Sequence, residues 1–163
     1  MTAPSDSATR RFVVATLVSL AFVSLATNVA AAFPRIDLAK DKPWRTSSTW
    51  ATCEPALHRC GGLTSDILFH TADDDSPWFE VDLQRAERVS SLTILNRQES
   101  DSERARPLLV EVSEDATTWQ EVARHDELFL EWRPSFSAVT ARYVRVRIPR
   151  KTWLHLEAVR VHP

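Results

Sequence analysis

Hydrophobic and polar residues alternate along most of the chain from Trp78 onward. Phe79, Val81 and Leu83 fall on one face of the segment Trp78–Leu83, and Trp78, Glu80 and Asp82 on the other. That period of two predicts a half-buried strand. Val89–Leu95 is more continuously apolar and suits a central strand. Leu108, Val110 and Val112 alternate with Leu109 and Glu111 in a third strand. Glu114–Thr117 reads as a hairpin turn and Trp119–Ala123 as its return strand. Phe129–Phe136 holds another strand, with Pro134 pointing to an edge or bulge. Arg142–Ile148 turns Val144, Val146 and Ile148 inward, and Leu154–Val161 supplies the last strand. Before these, Arg45–Trp50 is β-prone but hydroxyl-rich, and residues 51–76 read as loop. With no amphipathic helix in the pattern, the expectation is an all-β antiparallel sandwich or jelly roll.

The N-terminus breaks the alternation. Arg10 and Arg11 precede an uncharged run, Phe12–Phe33. As a helix this run is about 33 Å long, against about 30 Å for a bilayer core. Two readings stand: a signal anchor, or a signal peptide cleaved near Val29–Ala32. Either makes residues 1–11 a cytoplasmic tail, 12–33 an export or anchoring helix, and 34–163 one domain outside the cytoplasm. Cys53 and Cys60 enclose six residues. In an oxidising compartment a local disulfide is expected, and it would contribute about 2–3 kcal/mol. A zinc site that includes His58 is the alternative.

Composition narrows the chemistry. The net charge of −2 gives no electrostatic footprint for nucleic acid. Gly61 and Gly62 are the two glycines of the chain, which excludes a dinucleotide fingerprint, a P-loop and a nucleophile elbow. No nucleophile–base or zinc motif is visible, so no enzyme activity and no catalytic cofactor are expected.

The chain resembles the discoidin, or coagulation-factor C-type, domain among the galactose-binding-like folds. The resemblance is carried by Asp37-Leu38-Ala39 with Lys42-Pro43 and Ser47-Ser48, by Pro77–Leu83, by Val110–Ser113 followed by Trp119, by Ala141–Arg145, and by Leu156–Val161. It spans roughly residues 36–162. Within that family the chain is most similar to fucose-binding lectins, whose sugar site uses a histidine, an arginine, and a further arginine after an R-x-D segment. The resemblance implies that His70, Arg97 and Arg104 bind carbohydrate, with Glu99 in the place of the lectins' aspartate. Ser100-Asp101 replaces their adjacent cysteines. The lectins hold a structural calcium ion near the first long loop. Here that region carries Cys53, Ala56 and His58, poor ligands for a hard cation, so no metal ligands are assigned.

The residue types suit a sugar. Hydroxyls and a ring oxygen accept hydrogen bonds, arginine offers a rigid fork of donors, and histidine adds one directed donor or acceptor. The plainer reading of Arg97 and Arg104 is a solvated charge cluster with Glu99, Asp101 and Glu103, and that of His70 is a turn cap. Asp73–Asp75 reads as a solvated loop. Arg142, Arg145, Arg147, Arg150 and Lys151 read as a solvent-facing strand side, the alternative being contact with an anionic headgroup or acidic polysaccharide. Trp78, Trp119 and Trp132 are expected in packing, and Trp50 is expected exposed and able to stack on a sugar. The ligand is therefore a glycan or cell-surface group. The alternative function is an adhesion module that binds protein or anionic phospholipid.

Overall fold

The computed structural model describes residues 35–50, 53–54, 59–60, 67–98 and 101–163. The hydrophobic run 12–33 and Glu99 lie outside them. Among the described residues the strands are β1 (Trp44–Thr46), β2 (Cys53–Glu54), β3 (Arg59–Cys60), β4 (Phe69–His70), β5 (Trp78–Asn96), β6 (Leu108–Ser113), β7 (Gln120–His125), β8 (Glu131–Trp132), β9 (Ser135–Arg147) and β10 (His155–His162). A short 3-10 helix occupies Ser102–Ala105. The pairings are antiparallel, in the order β4-β10-β5-β9-β6-β7, with β1 and β8 also on β5, and β2–β3 forming a separate hairpin.

The strands expected at Trp78–Leu83 and Val89–Leu95 are one strand of 19 residues. No glycine or proline lies between Leu83 and Val89 to stop it. It bends instead: the register with β9 shifts between Asp82 and Glu87, and Gln84 takes φ 70. Asp82 fixes the bend. One of its carboxylate oxygens accepts the Gln84 amide at 2.7 Å, and its two oxygens accept Arg142 Nε and Nη2 at 2.8 Å each. Before the bend β5 pairs with β1 and the second half of β9. After it β5 pairs with β10, β8 and the start of β9.

That bend closes the core. Val81, Leu83, Leu92, Ile94, Val110, Val144, Val146 and Leu156 are buried in one cluster drawn from both halves of the sheet. The described 3-10 helix adds only Ala105 to that cluster, so the sheet largely covers itself. Phe69 stacks on Phe79 at 4.8 Å, and Trp44 packs on Phe79 at 5.5 Å. At the chain end, Leu38 donates its amide to the Val161 carbonyl and His162 Nδ1 donates to the Ile36 carbonyl. That leaves His162 Nε2 to accept the Thr93 hydroxyl at 3.0 Å.

Arg145 and Arg147 do not face open solvent as expected, whereas Arg142 keeps 43% of its side chain exposed. The register sets Arg45 beside Glu80, Glu80 beside Arg145, and Arg145 beside Glu111. The Glu111 side chain is 7% exposed and accepts Arg145 at 2.8 Å and Arg147 at 2.6 Å. Arg145 also lies 3.8 Å over the Trp119 ring. Burial alone would raise the Glu111 carboxyl, but the bonds from Arg147 and Arg145 outweigh it and hold the group below its ordinary value. Arg150 and Lys151 are exposed as expected, and Arg150 donates to the carbonyls of Arg104 and Arg106. Asp74 is not a free loop acid: it accepts the Ser47 and Ser48 hydroxyls and bridges to Thr152 through the backbone.

Glu111→Gln removes the charge and leaves two half-buried guanidiniums without it. We expect a loss of about 2–3 kcal/mol in urea unfolding. Glu87→Gln, at the exposed Arg85 pair, should cost less than about 0.5 kcal/mol.

Candidate functional site

Three of the four sequence-predicted binding residues are described, and the fold brings them together. His70 ends β4 and lies directly opposite His155 of β10. Arg97 follows the last residue of β5, and Arg104 sits in the 3-10 helix. Both arginines are near enough for their charges to act on both imidazoles. Glu99 is the fourth and lies outside the described residues.

Each group is held by local chemistry. His70 Nδ1 lies 2.7 Å from the Thr71 carbonyl, which can only accept. Nδ1 therefore carries the proton and Nε2 the lone pair. Burial pushes the His70 pKa down, the Thr71 bond opposes this, and Arg97 and Arg104 push it further down. The neutral ring is thus the working form at pH 7. Trp50 is 41% exposed, as expected. Its ring centroid lies 5.1 Å from that of His70, and its amide donates to the His70 carbonyl. Arg104 pairs with Asp101 at 2.9 Å and lies 4.9 Å over the Trp153 ring. The Asp101 pair matches the charge-cluster reading, yet it also orients the guanidinium without covering it.

Two residues of the site were not anticipated. Asn96 is fully buried. Its Nδ2 donates to the carbonyls of Ser102 at 2.8 Å and Phe129 at 2.9 Å, and its Oδ1 accepts the Arg97 amide at 2.8 Å. One side chain thereby ties the segment carrying Arg97 and Arg104 to the end of β5 and to the loop before β8. The signal was present in the alternation: Leu92, Ile94 and Asn96 share the inward face, so a polar side chain there needs buried partners. His155 is the other. Its ring is 1% exposed, its centroid is 5.0 Å from that of His70, and neither ring nitrogen has a hydrogen-bond partner among the described residues. Burial, with His70, Arg97 and Arg104 adding to it, pushes its pKa down to about 4, so this ring too is neutral at pH 7.

The arrangement offers directed donors, one lone pair and an exposed aromatic face around a shallow end of the sheet. It has no nucleophile–base pair. A separate concavity of about 330 Å³, lined by Trp44, Glu80, Asp82 and Tyr143 among others, is less suited to a ligand. Its carboxylates are already held by Arg45 and Arg142.

A family model described as NedA-like, galactose-binding domain (F5/8 type C) matches residues 62–146. No curated protein matches the chain. Among solved structures, the chain is similar to the lectin domain of lectinolysin complexed with Lewis B antigen, at 30% identity and a TM-score of 0.64, over 77% of this chain and 95% of that one. It is also similar to a Streptococcus pneumoniae fucose binding module, at 24% identity and a TM-score of 0.65, over 78% and 95%. A fucolectin from striped bass (Morone saxatilis) serum matches at 25% identity and a TM-score of 0.67, over 78% of this chain and 48% of that one.

Asn96→Leu strands two carbonyls and the Arg97 amide. We expect a loss of about 3 kcal/mol in urea unfolding and, in native-state hydrogen exchange, a larger loss of protection at the Arg97 amide than at the Ile94 amide.

Proposed function

The chain belongs to the F5/8 type C family of NedA-like, galactose-binding domains, and we propose that it is a non-catalytic, lectin-like carbohydrate-binding module displayed outside the cytoplasm. The observation that carries this reading is the convergence of His70, Arg97 and Arg104 beside the exposed Trp50. The neutral His70 accepts a hydroxyl proton at Nε2. Arg97 and Arg104 donate to hydroxyl or ring oxygens, and the Trp50 face packs against apolar C–H groups of the ring. Glu99 completes the set from its place between the arginines in sequence. Binding needs no cofactor. The similar lectinolysin domain and pneumococcal module are described with Lewis B antigen and fucose, so fucosylated glycans are the first ligands to try.

A glycan array probed with the fragment Arg35–Pro163, which contains the whole described core, tests the reading. Bonds from charged donors are each worth about 1.5–3 kcal/mol. Arg97→Ala and Arg104→Ala should therefore each weaken glycan binding by at least about tenfold with the fold intact. Binding unchanged in both variants, or retained only on liposomes of anionic phospholipid, would sink it.

Display outside the cytoplasm carries a second expectation. The register of β2 and β3 sets Cys53 opposite Cys60, and we propose a disulfide between them, with Phe12–Phe33 serving as signal anchor or signal peptide. Intact-mass measurement of the exported protein checks both. The thiols should alkylate only after reduction, and the mature N-terminus should fall either at the start of the chain or near Ala32. Alkylation of both thiols without reduction would refute the bridge.

A further inference from the structure

We propose that His155 is a further glycan-binding residue, one of its ring nitrogens completed by a hydroxyl group of the bound sugar. The inference rests on the reading of His70, Arg97 and Arg104 as a glycan site and adds a group that this reading does not use.

Several other buried polar side chains among the described residues are paired. Asn96 makes three side-chain hydrogen bonds, and His162 uses both ring nitrogens. Thr71 donates to the Ala72 carbonyl and accepts the Leu154 amide. His155 is as deeply buried as any of them, and both of its nitrogens lack a partner among the described residues. A phenylalanine would fill the same space without leaving polar atoms unpaired. The fold therefore gains nothing from the nitrogens, and a buried unpaired polar group of this kind calls for a partner that arrives with a ligand.

Its location names the ligand. Trp50, His70 and His155 form a column of rings with centroid spacings of 5.1 and 5.0 Å. Their exposures fall from 41% to 6% to 1% along it, so the column runs from the surface inward to His155. His70, tethered through one side-chain bond to the Thr71 carbonyl, lies between Trp50 and His155 in that column. The charged and titratable groups acting on His155 are His70 from β4 and Arg97, Asp101 and Arg104 from the segment after β5. Three of these oppose a second positive charge, so the ring stays neutral and presents one donor and one acceptor. A cation is repelled by the arginines. A carboxylate has no proton to give to the acceptor nitrogen. A sugar hydroxyl carries both a proton and a lone pair, so it can meet either nitrogen.

The test compares full-length wild type, His155→Phe, His155→Gln and Arg97→Ala on the same glycan array at pH 7.4, alongside thermal unfolding without ligand. His155→Phe should unfold about 2–4 °C higher than wild type, because the unpaired nitrogens are gone, yet bind the recognised glycan about tenfold more weakly. His155→Gln, which keeps a donor and an acceptor, should recover part of that affinity, and this comparison serves even if the phenylalanine variant fails to fold. If wild type binds and Arg97→Ala does not, but both His155 variants bind as wild type does, this inference is overturned and the site reading stands. If wild type binds no glycan on the array, both fall.

Discussion

With only a single 3-10 turn of helix among the described residues, the sheet itself supplies most of the cover for its apolar face. That constraint falls on β5. One strand of 19 residues serves both halves of the core, and it can do so only by bending where Gln84 turns to positive φ and Asp82 gathers the freed backbone amide and Arg142. The polar contacts at the bend are therefore not decoration on a finished core. An unbroken period of two would set Val81 and Ile94 on opposite faces of β5, so both reach the core only through the register shifts along the strand.

The same strand delivers the site. Because β5 continues past the bend without interruption, its last inward position is Asn96, and the chain leaves the sheet at Arg97. The buried amide then converts a strand end into an anchor for two segments at once. The Arg104 guanidinium is held by the Asp101 carboxylate and the Trp153 ring, while Arg150 bonds the Arg104 backbone carbonyl. A guanidinium confined in this way loses less rotamer freedom on meeting a ligand than a free one does, so more of each hydrogen bond survives as affinity. The opposite wall, β4 against β10, is short and places His70 and His155 in direct register.

Much of this was legible in the sequence, and the failures have physical causes. Period-two patterning located β6, β7 and β10 closely, because each alternates in sequence and is bounded by turn residues. It divided β5 at the charged stretch Gln84–Arg88, since a bend through polar residues looks locally like a loop. It missed β4 altogether, because two residues cannot show a period. It placed Arg145 and Arg147 of β9 in solvent, since alternation tells which face a residue shares but not whether that face meets water or a glutamate on the next strand. His70, Arg97 and Arg104 were visible only through the likeness to a family, and spacing in sequence gave no reason for them to meet.

Buried polar groups divide this molecule into what holds it and what it does. Glu111, Asn96, Thr71 and His162 are buried and paired, and each bond among them joins strands or loops that must stay together for the core to close. Stability alone accounts for them. His155 sits in the same interior, with the same desolvation, and holds nothing together through its nitrogens. Folding works against such a group, and the two arginines nearby make it costlier to charge than to leave neutral. The place where the fold bears that cost lies under His70 and beside Arg97 and Arg104, where the chain has also set its exposed tryptophan. A cost borne where donors, an acceptor and an aromatic face converge supports the proposal of a surface shaped for a second molecule rather than for the chain itself.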